Sequence, residues 1–369
     1  MDKTAKRADV SSAAQCPPEI KGKNLLFHCD NLDCMNYLLE AGLENSIGLV
    51  YIDPPFLSGE RYYRRIKNDM VAAFDDILTR DKYLEMLQPR LHAIRRLMSP
   101  SGSLFIHLDW HAVHYVKVLL DSVFGPANFR NEIIVKRGRR KNLQYQFSSI
   151  DRMHSGFDSL LWYSKSRQAK FALPLGPANS EAKWMGFWSN VNRPTMRYEI
   201  FGYRPERGQW KWAEERAKKA IENYNLYRSS YGHLALEQYW EKTGKVLEFI
   251  RKRSTSKYPE YWIPPRKFRL LDNIWLDIEA YNYSTGYATE KHAELLERII
   301  SQFSRPQDIV ADFFCGSGTA LYVAEKLGRT WIGCDSSTEA ISVTQRRIPS
   351  AEAQLKSFRN SPPRASNIN

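Results

Sequence analysis

The residues that follow one apolar run are suited to holding an amine against an aromatic surface. After IGLVYI, at residues 47–52, come Asp53, Pro54, Pro55 and Phe56. An ionised Asp53 can accept one N–H of an aromatic amine and the Pro54 carbonyl the other, because two prolines restrict the backbone and carry no competing donor. Phe56 can stack on the ring, which leaves the amine lone pair facing an electrophile. The alternative is a turn that ends the strand, since Asp-Pro is common in loops.

A second segment, DFFCGSGT at residues 312–319, joins an apolar run to a helical pattern through two glycines. Glycines let the backbone turn sharply and approach a ligand, and the free N–H groups of a helix N-terminus bind a carboxylate or phosphate. The next apolar run ends at Asp335, where such folds bind a ribose diol. A structural turn with a helix cap is the alternative. The spacing leaves a dinucleotide and S-adenosylmethionine open, although the missing third glycine disfavours a dinucleotide.

Strands and helices alternate on both sides of these two segments. Short apolar runs, such as NLLFHCD and TWIGCD, indicate buried strands, and helical spacing of apolar residues indicates helices such as those over 81–98 and 289–303. This alternation predicts an α/β fold with a Rossmann-like, doubly wound and mostly parallel sheet. Right-handed crossovers then bring the acids that end four strands to one edge of the sheet. These acids are Asp30, Asp53, Asp312 and Asp335.

The last predicted helix follows the strand TWIGCD. Ser336 and Glu339 have the spacing of a capping box, in which a serine side chain and a glutamate side chain satisfy backbone N–H groups reciprocally. The pattern therefore predicts that this helix begins with Ser336 as its N-cap.

The composition favours a globular chain with an anionic partner. The 369 residues are 43% hydrophobic and carry a formal charge of +13, a bias shared by nucleic-acid-binding, ribosome-associated and membrane-surface proteins. The five scattered cysteines include no Cys-x-x-Cys pair, so neither a zinc knuckle nor a disulfide framework is indicated. No apolar leader and no 18-residue apolar run occur. We expect a cytoplasmic protein.

The chain divides into five segments by composition and pattern. Residues 1–20 and 350–369 are polar and are predicted to be flexible tails. Residues 21–168 and 286–349 carry the strand and helix alternation, as two halves of one domain. Residues 169–285 are dense in Trp, Tyr, Arg and Lys and break that rhythm. We interpret them as an insertion between the two halves.

The two motifs together resemble one enzyme family. Asp-Pro-Pro-Phe upstream and Phe-x-Gly-x-Gly far downstream resemble the DNA amino-methyltransferases of the β order, whose catalytic motif precedes a target-recognition domain and whose cofactor motif follows it. The resemblance runs from about residue 23 to 348. It is closest to site-specific adenine methyltransferases of prokaryotes and phages and to modification subunits of type III restriction systems. Further similar segments are GSLFIHLDWHAVHYVKVLLDSVFGPANFRNEII, LLWYSKS, YATEKHAELLERII and DFFCGSGTALYVAEKLGRTWIGCD.

The resemblance implies a methyltransferase fold that uses S-adenosylmethionine, with residues 21–168 as its catalytic half. Residues 169–285 would be the target-recognition domain and residues 286–349 the cofactor-binding half. The implied catalytic residues are Asp53, Pro54, Pro55 and Phe56. The implied cofactor-binding residues are Asp30 near the adenine, Thr289 and Lys291 at the start of a helix, Asp312, Phe314, Gly316, Ser317, Gly318 and Thr319 around the methionine moiety, and Asp335 at the ribose.

Three residues depart from the family pattern beside these positions. Phe313 stands where proline is usual after Asp312, Cys29 replaces the glycine before Asp30, and His292 replaces the proline after Lys291. All three departures bear on the shape of the cofactor pocket.

The expected partner is double-stranded DNA with the target base flipped out, since a base inside a duplex cannot reach such a pocket. The basic-aromatic stretches 61–67, 136–141 and 251–267 could bind phosphates. Each alone could equally be a solvated surface. Base edges would be read from 197–212, whose Trp and Tyr could instead fill a small core. The expected contacts are Arg61, Tyr62, Tyr63, Arg64, Lys136, Arg137, Arg139, Arg140, Arg204 and Arg207.

The expected reaction is site-specific methylation of adenine N6. Aspartate rather than serine at position 53, together with the resemblance, favours adenine over cytosine N4. A non-catalytic DNA-binding subunit is the alternative from another class, yet both the acid and the glycines are intact. Enzymes acting on RNA or protein stay open, although they usually carry the cofactor motif first. By analogy we expect a homodimer and action at the nucleoid of a prokaryotic or phage-infected cell. A restriction subunit as a partner and a solitary enzyme both stay open.

Two other chemistries fit the sequence less well. His107, Asp109 and His111 superficially match an iron site of two histidines and one carboxylate. A sheet with a glycine-rich cofactor turn is the wrong setting for it, and no metal is expected. A C5-cytosine methyltransferase would need a cysteine nucleophile, typically after proline, and the chain contains no Pro-Cys.

Overall fold

The described residues fall into two compact units. The computed structural model describes residues 22–57, 61–66, 69–75, 78–138, 149, 153–282, 287, 290–350 and 355–357. The first unit comprises the described residues up to 173 and from 272 onward, and the second comprises residues 174–271.

The strands in chain order are β1 (Leu25–His28), β2 (Ile47–Ile52), β3 (Arg61–Ile66), β4 (Asp69–Asp75), β5 (Met98–Leu108), β6 (Phe129–Lys136), β7 (Phe157–Ser164), β8 (Leu175–Ser180), β9 (Lys183–Gly186), β10 (Trp188–Ser189), β11 (Gln209–Trp210), β12 (Ile250–Arg251), β13 (Glu260–Ile263), β14 (Arg266–Leu270), β15 (Ile274–Glu279), β16 (Ile309–Asp312), β17 (Thr330–Asp335) and β18 (Leu355–Ser357). The helices are α1 (Asn31–Glu40), α2 (Arg80–Leu97), α3 (Val113–Phe124), α4 (Glu214–Leu226), α5 (Leu236–Lys242), α6 (Ala293–Phe303), α7 (Thr319–Lys326) and α8 (Thr338–Arg347). Within the described ranges, no helix has both the length and the apolar character needed to cross a bilayer.

One sheet organises the first unit. Nine of the described strands lie in the order β15-β6-β7-β5-β2-β16-β17-β1-β18, and among them only β7 runs antiparallel to its neighbours. The chain builds outward from β2 on one side and from β16 on the other, so the strand order reverses between this parallel pair. Such a reversal leaves a crevice at the carboxyl ends of the strands. The predicted α/β, doubly wound, mostly parallel fold is confirmed.

The apolar residues of α2 recur at helical spacing, so one face of this helix packs on the sheet. Leu87, Leu91 and Ile94 are fully buried on one face of α2, and they share one apolar core with Val50 of β2 and Leu104 of β5. The fully buried strand β2 is therefore held between neighbouring strands and a helix layer, which fixes the point where the chain emerges at its carboxyl end.

The helix predicted over 289–303 starts later than expected. It begins at Ala293, and His292 is its N-cap, because the His292 Nδ1 accepts a hydrogen bond from the Glu294 N–H at 3.3 Å. Lys291 therefore precedes the helix, in a β-bridge with Tyr281, and does not start it.

The predicted capping box of Ser336 and Glu339 is wrong. Ser337 is the N-cap of α8, and its Oγ accepts the Ala340 N–H at 3.3 Å. The start is displaced by one residue because the Asp335 carboxylate accepts the Ser337 N–H at 2.9 Å.

The second unit has an aromatic core of its own. Phe187 and Trp210 are fully buried and stack with ring centroids 5.7 Å apart. A second cluster consists of Tyr227, Tyr239, Phe249 and Trp262. Within the predicted readout stretch 197–212, Trp210 thus fills a core. This unit, 174–271, lies inside the predicted insertion of 169–285, whose residues 274–279 instead form β15 of the large sheet, parallel to β6.

Gly318→Ala should destabilise the fold more than Gly328→Ala. Both glycines have left-handed backbone, with φ of 71° and 72°, so each alanine adds a strain of about 1–2 kcal/mol. At Gly318 a Cβ would also lie 2.6 Å from the Thr344 Oγ1, whereas at Gly328 it would meet nothing within 4 Å. Urea unfolding measures the difference, and equal losses in the two variants would contradict the described packing of Gly318 on α8.

Candidate active site

A cavity of about 340 Å³ lies at the carboxyl ends of the strands around the reversal point. It falls in the range of roughly 300–1,000 Å³ that is usual for small-molecule sites. It is lined by twelve of the predicted catalytic and cofactor-binding residues, namely Asp30, Asp53, Pro54, Pro55, Phe56, Lys291, Asp312, Phe314, Gly316, Ser317, Thr319 and Asp335. Gly318 is the N-cap of α7 beside them, and Thr289 lies outside the described residues. One cavity therefore unites both motifs.

Asp53 carries an acceptor that no described residue uses. It directly follows β2, and its side chain is 16% exposed. The Oδ2 atom pairs with the ammonium of Lys291, whereas the Oδ1 atom is buried and has no hydrogen-bond partner among the described residues. A buried acceptor without a donor costs about 1–3 kcal/mol. A ligand with an N–H group would remove that penalty.

Lys291 lies at the Asp53 end of the cavity. Its side chain is 5% exposed, and its Nζ lies 5.1 Å from the Phe56 ring centroid and 4.6 Å from that of Tyr281. Two aromatic faces and one carboxylate therefore surround this buried ammonium. The resemblance predicted that Lys291 would bind the cofactor, whereas in the structure its ammonium pairs with the Asp53 carboxylate.

A buried hydrogen-bonded chain supports Phe56. The Phe56 ring stacks on the His107 ring with centroids 6.0 Å apart and planes 22° apart. His107 Nδ1 lies 3.0 Å from the Tyr51 hydroxyl and its Nε2 3.2 Å from the Asp158 carboxylate. The consistent tautomer has Tyr51 donating to Nδ1 and Nε2–H donating to Asp158. The ring that Phe56 packs against is thus held at both nitrogens.

Charges compensate Asp158 inside the fold. Burial acts to raise the pKa of Asp158, but the hydrogen bond from His107, with the positive charges of Arg137 and Lys291, brings that pKa below its ordinary value. Sequence reasoning missed this network. It considered His107 only as a metal ligand, because Asp158 is 51 positions away along the chain.

The glycine turn is shaped by two carboxylates. Asp312 Oδ1 accepts the Phe314 N–H at 3.0 Å, and Asp335 Oδ2 accepts the Gly316 N–H at 2.9 Å. Gly316 has a positive φ of 51°, and a Cβ there would come 3.4 Å from the Tyr287 ring. The turn therefore exposes backbone to the cavity beside an aromatic side chain.

Both carboxylates resist ionisation. Burial raises the pKa of Asp312 well above its ordinary value, and the negative charges of Asp53 and Asp335 raise it further. Burial also raises the pKa of Asp335, against the N–H groups of Ser337 and Gly316 that favour its charged form. The cavity thus gathers several acids that disfavour one another's charge.

Arg90, which sequence analysis did not identify as a site residue, holds the Asp30 side of the cavity in place. Arg90 of α2 donates to the Asp30 Oδ2 at 2.7 Å and to the Asn31 Oδ1 at 2.5 Å. Asn31 in turn donates to the Phe313 carbonyl at 2.9 Å. The ends of β1 and β16 are therefore tied to α2. The signal in the sequence that could have indicated a hydrogen-bonded partner here was Asn31, a polar residue directly after Asp30 at a strand end.

The residues predicted to contact DNA are described only in part. Lys136 pairs with Glu279 at 3.1 Å, and Arg137 pairs with Asp109 at 3.4 Å and is 13% exposed. These two charges are already compensated within the protein. Arg204 and Arg207 are exposed in the second unit. Outside the described structure lie Arg139, Arg140 and the side chains of Arg61, Tyr62, Tyr63 and Arg64, whose strand β3 pairs with β4.

Comparison with known proteins gives matches over most of the chain. The family model described as DNA methylase matches residues 47–346. The type II methyltransferase M.EcaI of Enterobacter cloacae is 27% identical over 353 residues, or 91% of this chain and 72% of that protein. The Mod subunit of the type III restriction-modification enzyme StyLTI of Salmonella typhimurium is 24% identical over 84% of this chain, which spans 52% of that subunit. The solved structure of PvuII DNA methyltransferase (cytosine-N4-specific) is 15% identical, with a TM-score of 0.49, and the match covers 89% of this chain and 90% of that one.

Asp312→Asn should raise the free energy of unfolding at neutral pH. Because the pKa of Asp312 is higher in the fold than in the unfolded chain, its ionised form weakens the native state as pH rises. Asparagine keeps the oxygen that accepts the Phe314 N–H and removes the charge. Thermal unfolding from pH 4 to pH 8 measures this, with the exposed Asp33→Asn as the matched control. A gain at pH 4 that equals the gain at pH 8 would contradict the prediction.

Proposed function

The chain belongs to the DNA methylase family, and from this premise we propose that it methylates the N6 amine of adenine at a specific DNA sequence with S-adenosylmethionine as methyl donor. The proposal rests on the shared cavity, in which the unused acceptor of Asp53 and the glycine turn lie together. A donor of methyl groups and an acceptor amine have to meet in one space for direct transfer. The family and its restriction-modification relatives supply the class of substrate.

The residues at the glycine end fit S-adenosylmethionine. The positive φ of Gly316 opens backbone to a ligand, and the half-buried Asp335 keeps lone pairs for ribose hydroxyls beside the backbone N–H groups it accepts. Asp30, held by Arg90, lies at the rim for the adenine. When bound, the cofactor supplies an electrophilic methyl group on sulfur.

The residues at the Asp53 end orient the acceptor amine. Asp53 Oδ1 accepts one amine N–H and the Pro54 carbonyl accepts the other, which turns the nitrogen lone pair toward the donor end of the cavity. Lys291 holds Oδ2, so Asp53 cannot rotate to offer the wrong oxygen. As the nitrogen gains a methyl group it loses one proton, which the Asp53 Oδ1 atom would accept along their hydrogen bond and release to solvent.

The target base stacks on Phe56 after it leaves the duplex. Unstacking and unpairing cost a few kcal/mol, which the pocket has to offset by stacking and hydrogen bonds. The His107 ring behind Phe56, held by Tyr51 and Asp158, keeps this stacking surface in place. A rigid surface loses less entropy when the base binds.

The second unit, residues 174–271, reads the target sequence in this proposal. The exposed Arg204 and Arg207 are side chains of the type that pairs with guanine edges. The β3–β4 hairpin with Arg61, Tyr62, Tyr63 and Arg64 contacts the backbone of the DNA. Two further partners belong to the proposal. One is a second copy of the chain, by analogy with enzymes of the β order, and the other is a restriction subunit, because the type III relative is a Mod subunit. The enzyme would act in the cytoplasm of a prokaryote, at its own or at phage DNA.

Cytosine N4 is the second candidate. The family covers amino-methyltransferases of both kinds, and the exocyclic amine of cytosine offers the same two N–H groups to Asp53 and Pro54. Aspartate at position 53 and the resemblance to adenine enzymes favour N6.

Expression in a bacterium without DNA methylation should produce N6-methyladenine at one recurring sequence, and Asp53→Ala should abolish it. The alanine removes the acceptor that holds the amine, while cofactor binding persists because the glycine turn is untouched. Sequencing of modified bases measures the product, and calorimetry measures cofactor affinity. N4-methylcytosine would overturn the base choice. Sequence-specific DNA binding with no modified base in the wild type would overturn the proposed reaction.

Lys291→Met should slow methyl transfer roughly 10- to 100-fold, because about 1–3 kcal/mol is lost when a buried charge loses its partner. The comparison variant is Lys326→Met, because the Lys326 side chain is 57% exposed in a surface pair with Glu297. Single-turnover rates and cofactor affinity should be measured side by side. Weakened cofactor binding at an unchanged transfer rate would show that Lys291 serves the cofactor instead of Asp53.

A further inference from the structure

Three cysteines meet beside the cofactor end of the cavity. Cys29 directly follows β1, Cys34 lies in the first turn of α1, and Cys334 belongs to β17. Their sulfur atoms all lie within 4.8 Å of one another, and those of Cys29 and Cys334 are 3.8 Å apart. None of the three belongs to a Cys-x-x-Cys pair, so the cluster exists only in the folded chain.

The spacing matches that of a thiolate-bound metal ion. With Zn–S distances of about 2.3 Å, two sulfurs of a tetrahedral site lie about 3.8 Å apart. The Cys29–Cys334 separation already has this value. Bringing Cys34 to the same separation requires a movement of no more than about 1 Å, which a side-chain adjustment can supply.

The cluster is open to solvent on one side. Cys29 is only half-buried, whereas Cys34 and Cys334 are fully buried in the core, so a cation would enter on the Cys29 side.

We propose that Cys29, Cys34 and Cys334 bind one soft divalent cation of the zinc type, with water as the fourth ligand on the Cys29 side. Three metal–sulfur bonds form, and each thiol that binds the ion releases its proton to solvent. Soft thiolates select such cations over magnesium or calcium. Because each cysteine comes from a different element, the ion joins β1, α1 and β17.

A metal ion at this site would hold together two strand ends that border the cavity. Cys29 and Cys334 directly precede Asp30 and Asp335, which line the cavity. A bound ion therefore clamps the two strand ends that carry these carboxylates. A ligand that binds only the native state raises its stability, so the metal should increase the thermal midpoint of the chain.

Titration of the reduced full chain with Cd²⁺ tests the site directly, because Cd²⁺ on thiolates gives ultraviolet charge-transfer absorption. The absorption should saturate at one equivalent per chain, and Zn²⁺ should displace it. Cys29→Ser, the least disruptive of the three changes, should weaken binding at least tenfold. Cys16→Ser changes a cysteine that is not one of the three proposed ligands and should leave the titration unchanged.

Thermal unfolding with and without Zn²⁺ supplies the second measurement. The midpoint should rise in the wild type and in Cys16→Ser and stay constant in Cys29→Ser, whose circular dichroism without metal should equal that of the wild type. No saturable absorption near one equivalent would overturn the proposal. So would an unchanged titration in Cys29→Ser. Neither readout depends on methyl transfer, so the proposed function and the metal site can fail separately.

Discussion

The parallel pairing of β2 with β16 is the constraint on which the cavity depends. These strands are far apart in the chain and adjacent in the sheet, and the strand order reverses between them. At such a point the connections leave in opposite directions, so no helix covers the carboxyl ends. Asp53 and the glycine turn emerge into the same opening for this reason. Each motif alone would be an ordinary strand end.

The carboxylates that line the cavity lie close enough to repel one another, and nearby groups compensate most of their charges. Four strands deliver carboxylates to one edge, in a chain whose net charge is +13. A different group compensates each carboxylate. Lys291 pairs with Asp53, Arg90 pairs with Asp30, and backbone N–H groups bond Asp335. Asp312 has less compensation, and burial keeps its pKa high. Acids of different character therefore lie a short distance apart, as the proposed binding of an amine at one end and a sugar at the other requires.

The proposed chemistry needs rigidity more than reactive groups. A poor nucleophile reacts when its hydrogens are held and its lone pair is directed. The structure supplies this through prolines at 54 and 55, an ammonium on one oxygen of Asp53, and a stacked ring under Phe56. The second unit contributes an independent aromatic core. A core of its own lets a recognition surface vary without disturbing the strand ends that form the cavity.

Residue types and their spacing predicted the sheet, the two motifs and the edge at which they meet. These follow from local periodicity, from glycine and proline at strand ends, and from the fixed hand of the crossovers. The folded structure added that Lys291 bonds Asp53, that Arg90 bonds Asp30, and that three scattered cysteines converge. It also moved the N-cap of α8 to Ser337. The physical reason is that such contacts join side chains remote in the chain, and the choice among partners depends on distances of a few ångströms that residue types do not encode.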